Sequence, residues 1–175
     1  TGEIYMHEQE IQYYMMSYLL KDRNHKIVAP NITNVYPREC DLLSVTATDL
    51  VHEFEIKISK SGYRADSKKR KHNIMNWGAA NDIFQHSPNY FWYVISGFTL
   101  SVDDMRPRCG FIYITETEIK VITDAPRLHA GKLREDKFDK IARSLSYKVQ
   151  NTYRFYLPQK LNPQLTSDCP PQPRE

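Results

Sequence analysis

Apolar residues recur at Ile11, Tyr14, Met15, Tyr18 and Leu19. That is the spacing of one helix face, and it predicts a first helix over about residues 7–21. Asp22-Arg23-Asn24-His25 ends it. Ile27-Val28 reads as a short strand running into a loop, because Pro30, Asn31, Asn34 and Pro37 follow. The pattern then changes period. Residues 40–46 and 50–59 predict two strands joined through Ala47-Thr48-Asp49, and so short a connection makes them an antiparallel hairpin. The second strand alternates. Phe54, Ile56 and Ile58 point one way; Glu53, Glu55, Lys57 and Ser59 point the other. A basic helix is predicted over about residues 63–77. Residues 90–95 are apolar or aromatic on both faces, as in a central strand. Residues 110–115 and 119–122 predict a second hairpin around Glu116-Thr117-Glu118. A last helix starts near Glu135, with Phe138, Ile141, Ala142, Leu145 and Val149 in its apolar stripe. This order of elements predicts a mixed α/β domain with a central sheet.

The length of 175 residues and the 41% apolar content suit one domain with a real core. The proline-rich end predicts a flexible tail over 158–175, leaving a single domain over 1–157. Cys40, Cys109 and Cys169 form no CxxC pair, which argues against a zinc ribbon or a disulfide framework and fits a reducing, cytoplasmic setting. No apolar run is long enough to span a membrane, and the acidic N-terminal stretch has no signal-peptide pattern. The histidines show no HxxxH or HExxH spacing, and the few glycines form no phosphate loop. A zinc hydrolase and a nucleotide-loop enzyme are therefore disfavoured, and no small-molecule cofactor is expected.

The face of the second strand that carries Glu53, Glu55, Lys57 and Ser59 has an ordinary reading as a solvated sheet face. Asp41 changes the picture. With the turn centred near residue 48, strand positions pair when their numbers sum to about 96. Asp41 then faces Glu55. Two carboxylates about 5 Å apart repel by roughly 3 kcal/mol at an effective dielectric of 20. A protonated partner, a cation between them or screening water relieves this. Hard oxygen ligands suit Mg²⁺ or Mn²⁺. Lys57, two residues on and on the same face, is placed to orient an attacking water or to stabilise charge developing on phosphorus. Glu8 falls inside the apolar arc of the first helix and is a candidate third carboxylate, unless it serves only the helix dipole.

Charge is concentrated next to these residues. Between Lys57 and His72 seven basic residues face one acid, giving +6 in a chain whose net charge is +3. Lys60, Arg64, Lys68, Lys69 and Lys71 are candidates for phosphate contacts, against the alternative of a solvated basic helix. Six cations in contact with phosphates would give a log–log salt slope of about −5. Asp66 reads as a partner for its basic neighbours. Cys40 reads as a packed strand residue, and Phe91-Trp92-Tyr93 as core before base-stacking surface.

Asp41 followed after thirteen residues by Glu55-Ile56-Lys57 resembles the signature of the PD-(D/E)XK nucleases. Cys40 stands where the motif's proline is usual. The wider pattern through Ser59, Asp66, Lys69 and Lys71-His72, with Pro88-Asn89-Tyr90-Phe91-Trp92-Tyr93-Val94 and Ala125-Pro126, is similar to MmcB-like and phage nuclease-like proteins, over about residues 8–129. The resemblance implies a restriction-endonuclease-like αβββαβ core, with a mixed central sheet flanked by helices. It implies that Asp41 and Glu55 bind the metal with the Ile56 carbonyl nearby, that Lys57 is the catalytic lysine, and that Glu8 is the acid of the first helix. Ser59 resembles a serine of some junction resolvases, and equally a strand-end cap.

The expectation is a Mg²⁺- or Mn²⁺-dependent DNA endonuclease, directed by backbone or structure, with branched DNA among its candidate substrates. Homodimers are frequent in this fold. The rival expectations are a non-cleaving nucleic-acid-binding module and a protein-interaction accessory subunit.

Overall fold

The computed structural model describes residues 6–36, 38–66 and 87–156. The chain divides into two compact units, residues 1–141 and 142–175. The first holds a six-stranded mixed sheet in the order β1-β2-β3-β4-β5-β6. Its elements are α1 (Glu8–Lys21), β1 (Ile27–Tyr36), β2 (Arg38–Val45), β3 (Val51–Lys57), α2 (Lys60–Asp66), β4 (Tyr90–Ile95), a single 3-10 turn (Val102–Asp104), β5 (Gly110–Ile114) and β6 (Ile119–Thr123). α3 (Glu135–Tyr156) begins in this unit. In the second unit the described residues continue that helix. There Ser146 Oγ and Thr152 Oγ1 donate to the Ala142 and Lys148 carbonyls one turn back.

β1, β2 and β3 form an antiparallel meander. β3, β4 and β5 are parallel, and β6 returns antiparallel to β5. The β2–β3 ladder pairs Val45 with Val51, Ser44 with His52, Leu43 with Glu53 and Leu42 with Phe54. These are the pairs that the turn position predicts. Asp49 closes the turn with φ 67°, and the Thr46 hydroxyl accepts from the Leu50 amide.

Three expectations need correction. β1 is a ten-residue strand, not a short strand running into a loop. It lies at the sheet edge, where Pro30 removes no needed ladder donor. Asn31 turns left-handed (φ 49°), a conformation that Asn tolerates well. In α1 the buried set is Ile11, Gln12, Met15 and Leu19, and Tyr14 is exposed. The inward face is therefore rotated toward Gln12. The basic helix starts at Lys60, ahead of the predicted Tyr63. Its expected continuation, with Lys68, Lys69 and Lys71, lies outside the described residues, as does the 158–175 tail.

The core has two layers. Ile11, Met15 and Leu19 of α1 pack on Leu42, Phe54, Ile56, Trp92, Val94, Ile112 and Ile114. On the other face Tyr63 of α2 and Leu100 and Cys109 of the β4–β5 connection cover Phe91, Tyr93, Ile95 and Phe111. The α1 helix is held at its start by the His7 amide donating to Glu10 Oε2 at 2.7 Å. Leu133 ties the chain ahead of α3 to the hairpin, its amide donating to the Asp49 carbonyl at 2.9 Å.

Gly110 marks the closest approach in the sheet. A Cβ there would stand 2.3 Å from the Trp92 ring and 2.7 Å from the Ala125 amide nitrogen. Gly110→Ala should destabilise the protein by about 1–3 kcal/mol, the range for overpacked cores, with the midpoint of a urea titration as the measure.

A buried histidine pair lies in the α1 layer, with His25 and His52 ring centroids 4.9 Å apart. His25 Nδ1 bonds Ser44 Oγ at 2.7 Å, and Trp92 Nε1 donates to His52 Nδ1 at 3.0 Å. Burial, reinforced by Arg23, lowers His25 to about 4. Burial, with His25 and Arg23, lowers His52 to about 3. An unfolded chain takes up these protons near pH 6.5, so the pair's contribution is greatest above 6.5 and falls as the pH drops towards 4 and then 3. His52→Gln, whose amide oxygen can still accept from Trp92, should reduce the loss of melting temperature between pH 7 and pH 5. An unchanged pH slope would contradict this account.

Candidate active site

The face of β3 opposite α1 is not a solvated surface. Glu53 is 0% exposed and Glu55 2% exposed. Parallel pairing sets them beside Phe91 and Tyr93 of β4, which form the second core layer. Two buried carboxylates in an apolar layer need partners, and the fold supplies a different one to each.

Glu53 is held by Arg38 of β2 in a two-point contact, Nε to Oε1 at 3.1 Å and Nη2 to Oε2 at 2.7 Å. Such a fork satisfies both carboxylate oxygens and makes this pair structural. Glu55 Oε1 accepts from Lys57 Nζ at 2.7 Å. Lys57 Nζ also lies 3.8 Å from Asp66 Oδ1. Asp66, at the end of α2, is 1% exposed. Its Oδ2 accepts from the Tyr93 hydroxyl at 2.8 Å and lies 3.6 Å from Arg106 Nη1. Arg106 is fixed in turn by donating to the Tyr93 hydroxyl and, through Nη2, to the Tyr63 carbonyl at 2.6 Å, with its guanidinium 4.5 Å from the Tyr63 ring centroid.

Asp41 completes the group. Leu42 and Phe54 pair across β2 and β3 and both face α1, so alternation turns Asp41 to the side of Glu55. The regular β2–β3 pairing ends at Leu42. There the Ile56 amide donates to Asp41 Oδ2 at 2.8 Å, so a side chain replaces the next backbone acceptor. Gln12 of α1 braces the same residue, Nε2 donating to the Asp41 carbonyl at 3.1 Å and to Asn31 Oδ1 at 2.8 Å. Burial raises the Asp41 carboxyl to about 6. The charge on Glu55 adds to the rise and that on Glu8 adds a little more, against the opposing Ile56 amide and Lys57 ammonium. Desolvation and like-charge repulsion thus act together on the Asp41 carboxyl, an electrostatic setting that a divalent cation can relieve.

Glu8 itself is exposed. Among the described residues no three acidic, imidazole or thiol side chains converge as a metal cage. The donor set is nonetheless chemically suited to Mg²⁺, which usually takes one or two carboxylates and fills its octahedron with water and phosphate oxygens. Lys57 and Glu55 lie toward the carboxyl end of β3, where the Ser96 amide donates to the Lys57 carbonyl at 3.1 Å. A cleft of about 770 Å³ lies past the ends of β4 and β5, lined by Ser96, Phe98, Tyr113, Glu116, Glu118 and Lys120 among others, and neither Asp41, Glu55 nor Lys57 lines it. The carboxyl ends of parallel strands are where open α/β sheets place ligands.

The other expected site residues divide. Ser59 caps α2, its Oγ accepting from the Gly62 amide at 3.1 Å. Lys60 Nζ donates to Asp104 Oδ2 at 3.0 Å, and this bond holds the Asp104 carboxyl below its ordinary range. Arg64 is exposed on α2. Sequence reading missed Gln12, Tyr93 and Arg106 and gave Asp66 only as a partner for its basic neighbours. Gln12 had a visible signal, a polar residue one turn after Glu8 on the inward face of α1. Arg106 sits in a connection without periodicity and left none.

No protein-family model matches the sequence, and no curated protein matches it. Among solved structures the chain is similar to the SPO1766 protein of unknown function from Silicibacter pomeroyi, with a TM-score of 0.62 at 10% identity over 91% of this chain and 100% of that one. The likeness concerns the fold.

If Asp41 is destabilised by its neighbours, its proton is held in the folded state between about pH 4 and about pH 6, and stability falls as the pH rises through that window. Asp41→Asn keeps an acceptor for the Ile56 amide and removes the repulsion. In metal-free buffer it should stabilise the protein at pH 8 by on the order of 2–3 kcal/mol, with the gain vanishing below pH 4. Thermal unfolding at the two pH values measures it; an equal effect at both would show that charge is not the cause.

Proposed function

We propose that the chain is a metal-dependent phosphodiesterase acting on DNA, of the PD-(D/E)XK kind, with Asp41, Glu55 and Lys57 at its centre. The observation that carries the reading is the forced meeting of Asp41 and Glu55 in a desolvated corner, with an ammonium already bonded to one of them. The order α1-β1-β2-β3-α2-β4 agrees with an αβββαβ restriction-endonuclease-like core. Bound between the Asp41 and Glu55 carboxylates and near the Ile56 carbonyl, Mg²⁺ or Mn²⁺ would supply a Lewis acid to a phosphoryl oxygen.

The chain's own residues do the rest. The Ile56 amide holds the Asp41 carboxylate in one orientation, so the acid pair is set before substrate arrives. Lys57 brings a positive charge to the site, for an attacking water or for the oxygens of the phosphate. Burial of Glu55 under the β4 side of the sheet keeps competing water from its carboxylate and strengthens each charge contact. The basic stretch that begins at Lys57 and Lys60 and runs through Arg64, Lys68, Lys69 and Lys71 would hold the backbone, a contact that reads little sequence.

The lack of a third converging acid among the described residues favours one other reading, a module of the same fold that binds nucleic acid without cutting it. One assay separates them. Plasmid, single-stranded and four-way-junction DNA are incubated with the protein in Mg²⁺, Mn²⁺ or EDTA, with Lys57→Ala alongside. Cleavage in both metals, abolished by EDTA and reduced about 100-fold or more in Lys57→Ala, is expected. Binding that survives EDTA without any cutting would select the silent module, and equal cutting by both proteins would remove this site from the reaction.

A further inference from the structure

Lys57 has two carboxylates within reach, and they differ in what else they do. Glu55 Oε1, at 2.7 Å, belongs to the acid pair proposed above as the cation seat. Asp66 Oδ1, at 3.8 Å, belongs to a separate cluster on α2. That cluster is rigid. Tyr93 of β4 donates to Asp66 Oδ2, and Arg106 lies against both. The Asp66 carboxylate is therefore fixed in place, and the Lys57 side chain, carried at the end of β3, is the movable member.

A divalent cation set between Asp41 and Glu55 would stand close to an ammonium that now occupies one of the Glu55 oxygens. Like charges at that distance repel strongly in a buried setting. The lysine must leave that oxygen, and Asp66 is the carboxylate close by that the cation does not use.

We propose that the Lys57 ammonium is a tethered stand-in for the metal on Glu55, and that Asp66 is its second seat, to which it shifts when a divalent cation binds. Asp66 is then a positioning residue. It holds Lys57 near the reacting phosphate while releasing Glu55, and it touches neither metal nor substrate. Tyr93 and Arg106 keep that seat in place. This rests on the proposed metal site and adds a prediction that the site by itself does not make: the lysine competes with the metal, and the competition depends on Asp66.

Mn²⁺ binding to the full chain, followed by calorimetry without nucleic acid, tests it in a double-mutant cycle. Removing the competitor in Lys57→Met should tighten Mn²⁺ binding about tenfold. Asp66→Asn, which keeps an acceptor for the Tyr93 hydroxyl, should weaken it about tenfold in the wild-type background and leave it unchanged in the Lys57→Met background. An equal loss in both backgrounds would show that Asp66 acts on the metal directly, and would overturn the proposal. So would unchanged or weaker binding in Lys57→Met, a comparison that decides the matter alone if Asp66→Asn does not fold. Wild-type protein that binds no Mn²⁺, matching Asp41→Asn, would instead overturn the metal site itself.

Discussion

The register of the β2–β3 hairpin is the constraint on which the site depends. With Leu42 opposite Phe54, both in the α1 layer, Asp41 and Glu55 must share the other face. A slip of one residue would carry Asp41 into the apolar layer under α1 and leave Glu55 facing Leu42 or Cys40. The short Thr46–Leu50 turn, with the Thr46 hydroxyl on the Leu50 amide and Asp49 left-handed, sets this register locally. The Leu42–Phe54 pair on the opposite face then locks it. The cost of crowding two acids is imposed by packing that has nothing to do with them.

That crowding is relieved unevenly. Glu53 receives a fork from Arg38, which neutralises its charge and makes it part of the frame. Glu55 receives the Lys57 ammonium. Asp41 receives one backbone amide, which orients it without neutralising it. Three neighbouring carboxylates on one hairpin thus end in three electrostatic states, and the differences come from the donor each meets. A two-point guanidinium builds Glu53 into the frame, whereas Glu55 meets an ammonium and Asp41 a neutral amide.

The two histidines in the α1 layer and the acids on the far face respond to pH in opposite directions. The neutral imidazoles favour the fold above pH 6.5, and the Asp41 carboxyl favours it as the pH falls below about 6. Without metal these slopes oppose one another across the mildly acidic range. A cation at the proposed acid site would compete with the Asp41 proton, removing the second slope and leaving the first.

The chain's own pattern determined what depends on neighbours in sequence. The alternation of β3, the turn after Thr46, the two-sided apolar run of β4 and the 110–123 hairpin are all local, and through them Asp41, Glu55 and Lys57 could be set side by side before any fold was known. Tertiary structure alone decided the rest. Parallel pairing brings Tyr93 beside Glu55, and folding brings Asp66 and Arg106 to the same point from α2 and from the β4–β5 connection. It also gives Arg38 to Glu53 and turns Gln12 inward while leaving Glu8 exposed. The physical reason is that side-chain period reports which way a residue points within its own element. Which groups meet after a long connection, and how much water they lose on meeting, depends on how the elements pack.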